Sequence, residues 1–174
     1  LQAIRAVCDD SLRLYPDPTS LALREAIAAC YATTIDRVFV GNGSDEVLAH
    51  AFRGLVRDDA PLLFADVTYG FYPVYCELFD QPYQNIPVRS DFTIDVRDYV
   101  APCGGIAIAN PNANTGIALP LEQIEWLARS QPDCTIIVDE AYVDFGASSA
   151  MSLTERHDNI LVVQPVSKSR AFAG

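Results

Sequence analysis

The sequence is short of lysine. Lys168 is the only one, and the other formal positive side chains are eleven arginines in 174 residues. Histidine is nearly missing too. His50 and His157 are too few and too isolated to suggest a metal site. The five cysteines (Cys8, Cys30, Cys76, Cys103 and Cys134) form no CxxC and are odd in number. That argues against a disulfide framework and fits buried thiols in a reducing compartment, so a cytoplasmic location is expected. No apolar run approaches the roughly 20 residues of a membrane-spanning helix, and no leader pattern is present. A membrane partner is therefore not expected. A basic stripe is also lacking, and net charge is −11, which argues against a nucleic-acid partner. Scattered arginines still leave room for a local anion site.

What the chain does have is apolar content of 50% and a domain's length, enough for a sizeable core. Helices are expected at 19–33 with Thr19 or Ser20 as cap, within 41–56 after a turn, with Ser44 as cap and Asp45 and Glu46 in the first turn, at 70–79, and at 120–130 beginning with a proline. Strands are expected at 37–41, 61–66, 104–111, 135–139 and 159–164, with a weaker one in "QNIPV" and a helical turn at 152–157. Nearly continuous apolar strands alternate with amphipathic helices. This is the α/β pattern of a three-layer fold around a mostly parallel sheet.

Ligands of such sheets bind beyond the carboxyl ends of the strands. Those ends carry "GNGSDE" (41–46), "DVTYGFY" (66–72), "NPNANTG" (110–116), "DEAYVDF" (139–145) and "SKS" (167–169). Each has an ordinary reading: a tight turn with a helix cap, an Asx-rich loop, rim aromatics, a strand-end acid, a solvated lysine. "GNGSDE" matches neither GxxxxGK[ST] nor GxGxxG. Together, however, the five meet one set of requirements. A helix N-terminus suits a phosphate, an aromatic suits a flat ring, and an acid suits a protonated ring nitrogen. An amide and a phenol suit a ring oxyanion, and a lysine suits a carbonyl. That set belongs to pyridoxal 5'-phosphate (PLP).

In order, "YPDP" (15–18), "GNGSDE", "TYGFY" (68–72), "NPNANTG", "DEAYVDF" and "SKSRAFAG" resemble the fold-type-I PLP-dependent aminotransferases of classes I and II, and within them the histidinol-phosphate branch. The resemblance implies roles. Lys168 would form the Schiff base and shuttle the proton. Asp139 would pair with the pyridine nitrogen, and Tyr142 would donate to the ring oxygen. Tyr69 would stack on the ring. Ser44, Asp45 and Ser167 would hold the phosphate, the first two largely through backbone N–H groups. Tyr15 would reach the phosphate of a partner subunit's cofactor, which implies a homodimer. The substrates implied are a small amino donor and a 2-oxo acid, with histidinol phosphate and 2-oxoglutarate the leading pair. Aromatic aminotransferases and decarboxylases of phosphorylated amino acids share most of these residues.

The chain departs from the family pattern in three places. Asn114 stands where a proline is usual, leaving Asn112 as the expected contact to the ring oxygen and Asn114 as its rival. Pro165 stands where a Thr or Ser is usual. The arginine motif expected after Gly174 is not in the sequence. The resemblance thus implies an interface arm at 1–18, a partial PLP-binding large domain at 19–174 and no C-terminal small domain. It also implies a missing antiparallel strand next to the one ending near 164. A truncated, non-catalytic cofactor domain is accordingly the second reading.

Overall fold

The computed structural model describes residues 2–172. It divides into two compact units, Leu1–Val40 and Gly41–Gly174. The first unit carries α1 (Gln2–Ala6), a 3-10 turn at Asp10–Arg13, α2 (Leu21–Cys30) and a second 3-10 turn at Ile35–Arg37. The cap of α2 comes from Asp17, not from Thr19 or Ser20. Its carboxylate accepts from the backbone N–H of Leu21 at 2.7 Å and of Thr19 at 2.9 Å. Ser20 occupies the cap position in a left-handed conformation and makes no side-chain cap bond. No strand forms at 37–41 among the described residues. A strand is defined by its neighbour, and the sheet contains no strand that pairs with this segment. Arg24 instead ties the turn together, donating to the carbonyls of Val38 at 2.9 Å and Ile35 at 2.8 Å.

The second unit holds α3 (Gly43–Leu55), β1 (Leu62–Ala65), α4 (Tyr72–Leu78), β2 (Tyr83–Ile86), β3 (Gly105–Ala109), α5 (Leu121–Ser130), β4 (Thr135–Asp139) and β5 (Ile160–Val163). The strands form one sheet in the order β2-β1-β3-β4-β5, and each adjacent pair is parallel. The apolar strands explain this arrangement, because a parallel sheet must be covered on both faces. Leu63, Ile106, Ile108, Ile136 and Val138 face α5 through Ile124, Leu127 and Ala128. Leu62, Phe64, Ala107 and Ile137 face α3 and α4 through Leu48, Phe52, Tyr72 and Tyr75. The result is three layers. Strand order reverses about β1, so the crevice beyond the carboxyl ends of β1 and β3 is the place such folds reserve for ligands. Cys76, Cys103 and Cys134 are buried free thiols, whereas Cys8 and Cys30 are exposed.

The opposite end of the sheet is closed by a tight backbone approach at Gly104. Its N–H donates to Pro61 O at 2.9 Å, and its carbonyl accepts from Arg57 N at 3.1 Å. A Cβ here would lie 2.2 Å from Arg57 O and 2.6 Å from Ala60 O. The Gln81 amide pins both of those carbonyls, at 3.0 and 3.1 Å. The loop therefore has little freedom to retreat. Gly104→Ala is expected to cost about 3 kcal/mol, at the upper end of overpacking effects. A urea titration that shows an unchanged midpoint would refute this.

Candidate cofactor site

Beyond the carboxyl ends of the strands lies a cavity of about 520 Å³. That is within the usual range for small-molecule sites. Its wall is built from each strand-end motif except the Asn-rich loop's own asparagines.

The start of α3 provides the first side. Gly43 has φ +83°, a conformation that favours glycine. Gly41 lies so close to α3 that a Cβ would meet Glu46 Oε2 at 2.9 Å and Val47 Cγ2 at 3.0 Å. The Glu46 carboxylate reaches back to accept from the N–H of Asn42. Asn42, not Ser44, therefore takes the cap position, and Ser44 lies in the first turn. Helical N–H groups in a first turn have no intrahelical acceptor, and with the helix dipole they favour an anion. Ser44 and Asp45 both line the cavity. The Asp45 carboxylate is held aside by two phenols: Tyr69 and Tyr75 donate to its Oδ1 at 2.8 and 2.9 Å. Burial, and then the bond to Asp45, push the Tyr69 hydroxyl up to about 12. Tyr69 consequently stays neutral, and its ring lines the cavity.

The far side is the end of β4. Asp139 is buried and lines the cavity. Its Oδ2 accepts from the Tyr72 hydroxyl at 2.8 Å and its Oδ1 from Ala141 N at 3.1 Å. Burial raises its pKa above the ordinary carboxylate range, while those two hydrogen bonds oppose the rise. Glu140, the next residue, is also buried, with its pKa raised by burial. It accepts from Ser149 Oγ at 2.7 Å, Ala150 N at 2.5 Å and Gln164 Nε2 at 2.6 Å. It thereby joins the end of β4 to the residue that follows β5.

Lys168 and Ser167 enter from the loop after β5, with Pro165 and Val166 beside them. Lys168 Nζ stands 5.7 Å from the centroid of the Tyr142 ring. The segment is fastened to the end of β4 by Asp144, which accepts from Ser169 Oγ and lies 3.6 Å from Arg170 Nε.

Seven of the residues named from the sequence, Lys168, Asp139, Tyr142, Ser44, Asp45, Tyr69 and Ser167, thus line one cavity. Asn112 does not. It is buried, its Nδ2 donates to Val67 O at 2.7 Å, and its Oδ1 accepts from Asn114 N at 2.9 Å. It shapes the loop whose Pro111 and Ala113 form the wall. Asn114 is exposed and is likewise not part of the wall. Tyr15 lies in the first unit and is fully exposed. Sequence reasoning missed Tyr72 and Tyr75, which hold the two carboxylates. Their three-residue spacing from Tyr69 was visible, but it reads equally well as the core face of a helix.

The donor set fits PLP: a helix start and two serine hydroxyls for the phosphate, a buried acid for the ring nitrogen, an aromatic wall, and one lysine. The site and sheet define a doubly wound α/β protein with its ligand crevice at the strand ends. The sequence model described as "Aminotransferase class I and II" matches residues 1–174. The chain therefore belongs to this family, the fold-type-I aminotransferases that use PLP. It is 69% identical over its whole length to histidinol-phosphate aminotransferase 2 of Gluconobacter oxydans and covers 49% of that protein. It is 58% identical over its whole length to histidinol-phosphate aminotransferase of Gluconacetobacter diazotrophicus, again covering 49%. Among solved structures, an aminotransferase from Mycobacterium tuberculosis superposes with TM-score 0.85 at 26% identity, over 99% of this chain and 50% of the other. The fold is also that of Sinorhizobium meliloti histidinol-phosphate aminotransferase in complex with PLP, with TM-score 0.88 at 23% identity, over 99% of this chain and 49% of that one. The chain spans about half the length of the curated relatives it matches. Among the described residues, no helix is long and apolar enough to cross a membrane.

Proposed function

We propose that this chain is the cofactor-binding part of a PLP-dependent aminotransferase that converts histidinol phosphate and 2-oxoglutarate to imidazole-acetol phosphate and glutamate, a step of histidine biosynthesis in the cytoplasm. The observation that carries the reading is the meeting of Lys168, Asp139, Tyr69 and the start of α3 on one cavity. The identity of 69% to a histidinol-phosphate enzyme supports the substrate.

When bound, PLP supplies an electron sink for the bond broken at the substrate's Cα. Lys168 would hold the cofactor through its Nζ and would carry a proton at that amine. Asp139 would accept the ring N–H and keep that nitrogen charged. Tyr142 would donate to the ring oxygen, and Tyr69 would cover the ring face. Ser44, Ser167 and the first-turn N–H groups of α3 would hold the phosphate. The full exposure of Tyr15 suits the same reading, in which Tyr15 serves the partner's site in a homodimer. The domain assignment also belongs to it: an arm at 1–18 and a partial large domain at 19–174.

Mixing the folded protein with excess PLP should give a visible absorption band. Borohydride reduction should then leave a covalent adduct on Lys168 by peptide mass spectrometry. Folded protein that gives no adduct, or one elsewhere, overturns the site. Turnover with aromatic donors but not histidinol phosphate overturns the substrate.

A further inference from the structure

We propose that Tyr72 is the positioning residue of the cofactor ring: its hydroxyl holds the Asp139 carboxylate, and its ring abuts the Tyr69 ring. The proposal rests on the PLP reading above and adds a residue to it. Tyr72 begins α4 and has no exposed surface. Its ring is lodged among three others, with centroids 5.6 Å from Phe52, 5.6 Å from Phe64 and 5.7 Å from Tyr69. So enclosed, it cannot turn its hydroxyl away, and that hydroxyl meets Asp139 Oδ2 at 2.8 Å. Tyr69 lies against Tyr72 at 82°, an edge-on contact. One buried side chain thus sets two walls of the cavity, the acid for the ring nitrogen and the aromatic for the ring face.

Tyr69, just before α4, and Tyr72 and Tyr75 within it divide their hydroxyls. Those of Tyr69 and Tyr75 go to Asp45, whereas that of Tyr72 alone goes to Asp139. A carboxylate offers about four lone-pair sites. Asp139 has two donors, Tyr72 OH and Ala141 N, and keeps room for a ring N–H. The charged and titratable groups around it are Tyr72, Tyr69 and Tyr75 on one side, Asp45 from α3, Lys168 from the loop after β5, and Glu140 beside it in the chain. Among them, the Tyr72 hydroxyl is the side-chain donor bonded to Asp139, and it favours the ionised form that a charged ring nitrogen requires.

The test is Tyr72→Phe in the polypeptide of natural length, which removes the hydroxyl and keeps the ring. In the cofactor-free protein, the Asp139 carboxyl is titrated by carbon-13 NMR, and its midpoint should move up. At neutral pH, the dissociation constant for PLP should rise about tenfold, as for a lost hydrogen bond to a charged group. The pH below which PLP is released should move up with it. A lower melting temperature with an unmoved midpoint and an unmoved pH limb would make Tyr72 a core residue only and overturn the proposal. Should the phenylalanine variant fail to fold, difluorotyrosine installed at position 72 serves instead. Its more acidic hydroxyl should move the midpoint down, and an unmoved midpoint is again negative. Wild-type protein that takes up no PLP while the midpoint still shifts defeats the proposed function, and with it the cofactor role, but leaves the hold on Asp139 standing.

Discussion

Lys168→Ala is expected to abolish the borohydride-trapped adduct and to lower transamination by at least about a thousandfold, within the usual range for loss of a positioned acid–base group. The reason lies in the cavity. Lys168 is the sole lysine of these 174 residues, so none of them offers a second ε-amine to the cavity. The segment that carries it is tied to the end of β4 through Ser169 and Arg170 on Asp144. The alanine variant should therefore fold and still bind PLP non-covalently, through the start of α3 and Asp139. It should also move Asp139. The Lys168 charge lowers the Asp139 pKa, so its loss should raise the titration midpoint. Full activity in this variant, measured as glutamate formed, would remove Lys168 from the chemistry.

Asp139→Asn should separate function from stability. Catalysis should fall by roughly a hundred- to a thousandfold, because a buried acid aimed at a charge is an electrostatic group in a desolvated site. Stability of the cofactor-free protein should change in a pH-dependent way. Burial raises the Asp139 pKa above its ordinary 3.8. The folded chain then holds this proton more tightly than the unfolded chain. From pH 3.8 up to the raised folded value, the Asp139 contribution to stability falls as pH rises. The asparagine variant has no such slope. Measured against wild type, it should gain relative stability as pH climbs through that window. A pH-independent offset accompanies this gain, since the amide can serve Tyr72 OH or Ala141 N as an acceptor only through its single oxygen. Glu140 is raised in the same sense, by burial first, and that part is common to both proteins; the smaller part that comes from the Asp139 charge is lost with it and adds to the relative gain of the asparagine variant. Chemical denaturation of both proteins across pH 4–8 decides the matter, and a constant difference would mean that Asp139 is not a strained acid.

The chain's order of strands and helices was legible because it rests on local periodicity. Continuous apolar strands imply a sheet covered on both faces, and "GNGSDE" and the lone Lys168 imply a phosphate end and an amine end. Asp139 and Lys168 reached one cavity because one ends β4 and the other follows β5, and parallel strands deliver their carboxyl ends to the same edge. "GNGSDE" follows no strand among the described residues and reaches the cavity as the start of α3. Other features depended on groups far apart in sequence. Residues 37–41 read as a strand, yet strand formation needs a neighbour that the local sequence cannot show. The local sequence also cannot show that the Asn112 amide donates to Val67 O, 45 residues away. Tyr72 lies in the stretch expected as a helix and carries no role that its local sequence shows. Only packing against Phe52 and Phe64 aims its hydroxyl at Asp139, 67 residues further along the chain. The sequence by itself determined which chemical groups stand at the strand ends. The tertiary structure decided which of them face the cavity and which hold the others in place, because a buried hydrogen bond is set by where two distant segments meet, not by the spacing within either one.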